Sequence, residues 1–233
     1  MEDISQSTAI ITAAGSGTRM GGTVKKQFRS LGGIPVFIRS LSVFLNCPLI
    51  SNILITAPED DIALCESLIN DFLDQPEKPL KVIPGGAERQ DSIFGALQAC
   101  PPDTDYVFIH DGVRPFITVS FLEELYRRVI IHQAVVPAAP LKHTVKQVSG
   151  NLIQQTLNRS HLVQVYTPQV FNYHLIHTCY QKAYEDGFFS TDDASILEYC
   201  GEKVYILPSS ELNLKITDET DWFLANLIVD KNF

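Results

Sequence analysis

Between Ala9 and Phe28 the chain reads AIITAAGSGTRMGGTVKKQF. An apolar run ends in a loop of small residues that carries Arg19, and Lys25 and Lys26 follow it. Small residues let backbone N–H groups approach a ligand closely. A loop of bare N–H groups is an anion cradle, and the cations beside it point to a phosphate. An arginine in such a loop suits a reaction at phosphorus, where charge grows on the equatorial oxygens. Two common phosphate loops do not fit. A dinucleotide fingerprint wants G-x-G-x-x-G, and Gly15-Ser16-Gly17-Thr18-Arg19-Met20 lacks the third glycine. The P-loop string G-x-x-x-x-G-K-[ST] does not occur in the chain. A plain glycine turn with surface cations is the alternative, and a lone Gly-x-Gly would favour it.

The loop is not alone. GGAERQDS, Gly85 to Ser92, follows a strand-like run and opens a helix-like one, and HDGVRP, His110 to Pro115, follows another such run. In an open α/β sheet, ligands sit at the carboxyl ends of the strands. Loops of polar or small residues at three strand ends would therefore face one crevice.

Those loops need a frame, and the chain supplies one. TAIITA is a continuous apolar run, as expected of a strand covered on both faces. PVFIRSLSVFLNC has helical spacing, with Pro35 suited to its first turn. ISNILITA reads as a second strand. Pro58 then opens a helix through EDDIALCESLINDFL, with acids where the helix dipole favours them. KVIP is a third strand, ERQDSIFGALQAC a helix, DYVFIHD a strand, VSFLEELYRRVI a helix and AVVPAAP a fifth strand. This βαβ rhythm predicts a largely parallel sheet with helices on both sides.

From about Leu141 to Val165 the rhythm breaks. HTVKQV and NLIQQTL alternate in polarity around Ser149-Gly150, a hairpin signal. A two-stranded ribbon is marginal alone, so it is either a surface excursion or an arm that meets a partner subunit. Helices NYHLIHTCYQKAYED and TDDASILEYC, a strand KVYILP, a short NLKI and a final helix ETDWFLANLIV complete the chain.

Length and composition bound the rest. The 233 residues are 45% hydrophobic and 19% charged, which suits one α/β domain with an excursion. A net charge of −9 argues against nucleic acid as a partner. The five cysteines lack CxxC spacing and read as thiols in a reducing compartment. The acidic start MEDISQSTAII is no secretory signal, and no apolar stretch approaches the roughly 18 residues of a membrane span. A cytoplasmic protein is expected. His174 and His177 lack a third ligand and read as surface or packing residues. Asp192-Asp193 reads as a helix N-terminus rather than a metal site.

Six ordered motifs, AAGSGTRM…KQF, GGAERQDS, HDGVRP, TPQ, TDDAS and NLKIT, resemble those of the 2-C-methyl-D-erythritol 4-phosphate cytidylyltransferase family over nearly the whole chain. The resemblance implies a Rossmann-like nucleotidyltransferase fold spanning residues 1–233, with a dimerisation arm at about 141–165, and a homodimer. It implies transfer of CMP from CTP to a sugar-alcohol phosphate with release of pyrophosphate. Ala13, Ala14, Gly15, Ser16 and Gly17 would hold the nucleotide, and Gly85, Gly86 and Ser92 would read the base. Arg19 and Lys26 would stabilise the transition state at the α-phosphorus, with Lys215 a third catalytic cation beside the methylerythritol phosphate. Asp111, Arg114, Thr144, Arg159, Thr167 and Thr191 would contact the second substrate, Thr144 and Arg159 reaching it from the partner subunit. Mg²⁺ would be held mainly by the CTP phosphates, with no protein metal ligands. The chain departs from the family pattern at Lys25, usually proline, and at Gly112, commonly alanine. A ribitol 5-phosphate cytidylyltransferase and a non-catalytic nucleotide-binding module on the same fold are the alternatives.

Overall fold

The computed structural model describes residues 5–15, 24–74, 76–209 and 212–231. Strand β1 (Ser7–Thr12) is buried almost throughout and occupies the middle of the sheet, between β4 (Asn52–Ala57) and β6 (Tyr106–Asp111), both parallel to it. Beyond β4 lies β5 (Leu80–Pro84), also parallel. Burial on both faces explains why these strands read as continuous apolar runs rather than alternating ones.

The other half of the sheet departs from the predicted parallel order. β11 (Gln169–Asn172) inserts antiparallel between β6 and β7 (Ala134–Pro140). β10 (Val163–Val165) pairs antiparallel with the end of β7, and β12 (Tyr205–Pro208) runs parallel along the opposite edge of β7. The sheet is therefore mixed. Neither β10 nor β11 is expected from the sequence. At three and four residues they are too short for a periodic signal, and QVFN merges with the helix that follows. A ribbon of β2 (Ser30–Leu31) and β3 (Ile34–Pro35) precedes the first helix. NLKI, in contrast, forms no strand; its Ile216 N–H donates to Val113 O at 3.0 Å.

Helices cover both faces because successive β1 side chains point to opposite sides. Ala9 and Ile11 pack with α1 (Val36–Leu45), α2 (Ile62–Phe72) and α4 (Val119–His132). Ile10 packs with α3 (Arg89–Gln98), α5 (Tyr173–Glu185) and α6 (Asp193–Tyr199). The predicted Leu122, Leu125 and Val129 stripe of α4 is fully buried. Helix starts follow their capping residues: Thr118, Asn172 and Asp192 each accept the backbone N–H three residues on, satisfying an otherwise unpaired donor. After Pro58 a 3₁₀ turn, Glu59–Asp61, precedes α2. The last helix, α7 (Glu219–Asp230), packs Ala225 against Leu31, Val36, Val113 and Ile216.

The hairpin is present but shorter than its alternating text, with β8 (Lys146–Ser149) and β9 (Leu152–Thr156) around Gly150 at φ 56°. Every residue of both strands is exposed, and the pair forms a two-stranded sheet of its own. Val148, Leu152 and Ile153 stand 56%, 76% and 64% exposed, which is unusual for apolar side chains on a lone ribbon. Among the described residues, no helix is long and apolar enough to cross a membrane.

Candidate active site

The ends of the parallel strands are level, and this brings the predicted loops together. Thr12 stands opposite both Thr56 and Asp111, and Ala57 opposite Pro84. Just past these ends, Ala13 N–H donates to Thr56 O, Gly112 N–H to Thr12 O and Gly85 N–H to Ala57 O, at 2.8 to 2.9 Å. The three loops, with Lys26 and Lys215, line one cleft of about 360 Å³.

Each wall has a local cause. On the first, Gln27 is almost fully buried, and its amide donates to Ala13 O at 2.7 Å and to Gly15 O at 2.9 Å. Pinning those carbonyls fixes the path of the loop at its entry. Lys25 pairs with Asp61 at 2.5 Å and so faces away from the cleft that Lys26 lines. On the second wall, a Cβ at Gly85 would run into Ala14 and one at Gly86 into Asp91, so close approach requires glycine at both. Ser92 Oγ accepts from Gly86 N–H at 3.0 Å and donates to Glu88 O at 3.1 Å. Its hydroxyl therefore shapes the turn as well as lining the cleft. Glu88 caps α3 together with Asp91. On the third wall, a Cβ at Gly112 would stand 2.9 Å from Thr12 O, so glycine here is a matter of space.

The centre of the site is Asp111. Its Oδ2 accepts from Lys215 Nζ at 2.9 Å and Arg114 Nε at 3.2 Å, and its Oδ1 faces Arg89 Nε at 3.4 Å. Burial disfavours its charge, but Arg89, Lys215 and Arg114 outweigh burial and hold the carboxyl well below the usual carboxylate range. Arg89 also forms a two-pronged pair with the fully buried Asp193, at 2.7 and 3.0 Å. Burial opposes the guanidinium charge, and Asp193 and then Asp111 more than restore it. Three cations thus meet two carboxylates, before Lys26 is counted. A cleft with surplus positive charge suits a polyanionic ligand.

Beneath Asp111, His110 is completely buried, with Nε2 3.1 Å from Arg114 O and Nδ1 3.0 Å from Thr167 Oγ1. Nε2 donates to the carbonyl, so Nδ1 accepts from the Thr167 hydroxyl, which in turn accepts Asp111 N–H at 3.1 Å. Burial lowers the His110 pKa to about 3. Arg114 Nη1 donates to Asn213 O at 2.8 Å, and Asn213 Nδ2 to Thr167 O at 2.7 Å. A second depression, of about 510 Å³, shares Lys215 with the first and is bordered by Arg114, Lys142, His143 and Tyr166.

The predicted residues divide into three groups. Ala13, Ala14, Gly15, Lys26, Gly86, Ser92, Asp111 and Lys215 line the first cleft, Gly85 and Thr167 lie directly behind it, and Arg114 borders the second depression. Ser16, Gly17 and Arg19 lie outside the described residues. Thr144, Arg159 and Thr191 are exposed and outside both depressions. Arg159 donates to Lys142 O and, with Lys142 and Asn158, lines a separate hollow at the arm's base. Arg89 and Gln27 are site-building residues that the sequence did not single out, and Asp193, read there only as part of a helix N-terminus, is a third. Arg89 lies within GGAERQDS, but its partner Asp193 is 104 residues away, so only the fold reveals the pair. Asp192 is the helix cap expected. His174 and His177 pack on Tyr173 and Phe94, as packing residues do.

The sequence pattern of the family described as 2-C-methyl-D-erythritol 4-phosphate cytidylyltransferase matches residues 7–231. The chain belongs to that family. Relatives named 2-C-methyl-D-erythritol 4-phosphate cytidylyltransferase include one from Clostridium botulinum, 37% identical over 96% of this chain and 99% of its own. Another, from Symbiobacterium thermophilum, is 39% identical over 96% of this chain and 93% of its own. Among solved structures, the 4-diphosphocytidyl-2C-methyl-D-erythritol synthase of Anaerococcus prevotii superposes with a TM-score of 0.85 at 29% identity, covering 98% of this chain and all of that one. The 2-C-methyl-D-erythritol 4-phosphate cytidylyltransferase of Francisella tularensis gives 0.81 at 28% identity, over 96% and 99%. The cytidylyltransferase fold therefore extends over the mixed sheet and both helical layers.

Proposed function

We propose that this protein transfers CMP from CTP to 2-C-methyl-D-erythritol 4-phosphate and releases pyrophosphate. The observation that carries the mechanism is the pair of adjoining depressions that meet at Lys215, with Arg114 bordering the second. CTP occupies the first, with its base at Gly85, Gly86 and Ser92 and its phosphates beside the Ala13-to-Gly17 loop. The alcohol phosphate occupies the second. Its phosphate oxygen attacks the α-phosphorus in line, and pyrophosphate leaves. The nucleophile is already anionic, so no general base is required. The difficulty is to bring two polyanions together, which cations at fixed positions overcome. Lys26 and Arg19 stabilise charge on the α-phosphoryl oxygens. Lys215 holds the incoming phosphate, while Asp111 and Arg114 orient the substrates where they meet.

Magnesium enters with CTP, as part of the substrate. Among the described residues, no group of three His, Cys, Asp or Glu could hold a metal, and Asp111 is already surrounded by cations. These features suit an ion carried by triphosphate oxygens.

The protein acts as a homodimer. The exposed apolar ribbon β8–β9 and the position of Thr144 and Arg159 outside the cleft support exchange of arms across a two-fold axis. Arg159 and Thr144 then reach the partner's second depression, and Thr191 completes the same substrate site. The whole chain works as one nucleotidyltransferase domain with this arm. Its five unpaired cysteines suit a reducing cytoplasm. The test is a matrix of four nucleoside triphosphates against methylerythritol, ribitol and glycerol phosphates, read by pyrophosphate release. CTP with 2-C-methyl-D-erythritol 4-phosphate should dominate. Greater turnover with ribitol 5-phosphate, or none with any pair, would overturn the reading.

A further inference from the structure

Arg89 has no part in the chemistry above, yet a two-pronged ion pair holds it firmly in the site. Nη1 and Nη2 donate to Asp193 Oδ1 and Oδ2 at 3.0 and 2.7 Å. Asp193 is itself fixed by the Tyr180 hydroxyl at 2.6 Å. The guanidinium is therefore locked, and its Nε edge faces Asp111 Oδ1 at 3.4 Å. Asp111 Oδ2 carries Arg114 and Lys215. The two oxygens thus divide the cations: Arg89 on one, the substrate-facing pair on the other.

Under the proposed function, Lys215 must leave Asp111 to meet an incoming phosphate. That exchange trades one anion for another, and it is easy only if Asp111 stays satisfied once the lysine has gone. Arg114 alone would leave Oδ1 uncompensated in a buried place, which is costly. We propose that Arg89 is the positioning residue for Lys215: it neutralises Asp111 from the far side and so leaves the lysine transferable to substrate. Arginine suits this task because its planar fork can grip Asp193 with two nitrogens while the third reaches Asp111. Lysine would keep the charge without that geometry. This inference rests on, and deepens, the cytidylyl-transfer reading.

Removing Arg89 should tighten Asp111 on Lys215, because a competing cation is lost. Arg89→Gln alone leaves Asp193 buried and unpaired, so it lowers Tm. Arg89→Gln with Asp193→Asn replaces the ion pair by a neutral one and should return Tm toward wild type. In that double variant kcat/KM for the alcohol phosphate should stay about 10²-fold down, as for a misplaced reacting group. In the substrate-free protein, acylation of Lys215 by an amine-reactive ester, read by mass spectrometry against Lys25, should slow about threefold or more. Activity that returns with Tm would make Arg89 merely structural and overturn the proposal, as would unchanged Lys215 acylation. The acylation arm uses no nucleotide, so it judges the Arg89–Lys215 link whichever substrate the wild-type enzyme accepts. Failure of CTP turnover in the wild type would sink the functional reading instead.

Discussion

At the scale of single residues, neighbours in sequence have opposite surroundings. Lys26 lines the cleft, whereas Lys25 is spent on Asp61 at the edge of α2. Lys26→Ala should therefore lower kcat by roughly 10² to 10³, as for loss of a preorganised electrostatic donor. Lys25→Ala should be mild, since a partly exposed ion pair contributes little. Unchanged kcat in Lys26→Ala, with only a raised CTP KM, would remove Lys26 from the transition state. His110 gives a second residue-scale prediction. Burial holds its pKa at about 3 in the folded protein, against an ordinary value near 6.5 in the unfolded chain. Between these limits the unfolded chain binds a proton that the folded one refuses, so stability falls as pH drops through that window. The slope is about 1.4 kcal/mol per pH unit for one such group. Asp111 is also shifted downward, by its cationic partners, so its contribution has the same sign but a lower window: it is complete above the ordinary carboxylate range and is lost as pH falls below it. His110→Gln should flatten the slope between about pH 6 and 4, measured by denaturant unfolding at stepped pH. An unchanged slope would show that the acid sensitivity lies elsewhere.

At the scale of elements, the site is a consequence of strand ends in register. That much was legible, because β1, β4 and β6 are continuous apolar runs closed by turns with small or polar residues. β10 and β11 were not legible: they are short, and their place depends on β7 rather than on any local pattern. The Arg89–Asp193 pair was hidden for a related reason, since it joins the starts of α3 and α6. The Gly85-Gly86 turn carries the element-scale prediction. Gly85 presses on Ala14 so closely that a Cβ there must move one loop or the other. Gly85→Ala should raise the CTP KM about tenfold, a modest misplacement effect. It should also narrow the preference for CTP over UTP, which in the wild type should exceed about 10²-fold, because a site built for one polar base edge leaves groups unpaired with another. Comparable kcat/KM for the two nucleotides in the wild type would refute base reading by this turn.

At the scale of the whole molecule, one chain brings together the nucleotide side of the proposed site and leaves Thr144 and Arg159 outside it. The sequence signals a ribbon at this place, but no pattern within one chain can say what the ribbon touches. Mixing Arg159→Ala chains with Lys26→Ala chains tests the exchange of arms. Each homodimer should be nearly inactive. In a mixed dimer one site would carry both lesions and the other neither, so activity should recover toward about half of wild type, as two-fold symmetry requires. Mixed dimers that form by mass yet stay inactive would place Arg159 in its own subunit's site.

The thiols of this protein sit apart from its chemistry. Cys65, Cys100 and Cys179 have pKa values pushed up to about 12 by burial, and no cysteine lines the cleft. At neutral pH only on the order of one in 10⁴ or fewer of these three groups is thiolate, the form that attacks electrophiles. Warheads aimed at sulfur have nothing to grip in the cleft. A covalent inhibitor of this enzyme must instead be built for amines, and the two lysines that line the cleft, Lys26 and Lys215, are where it would attach.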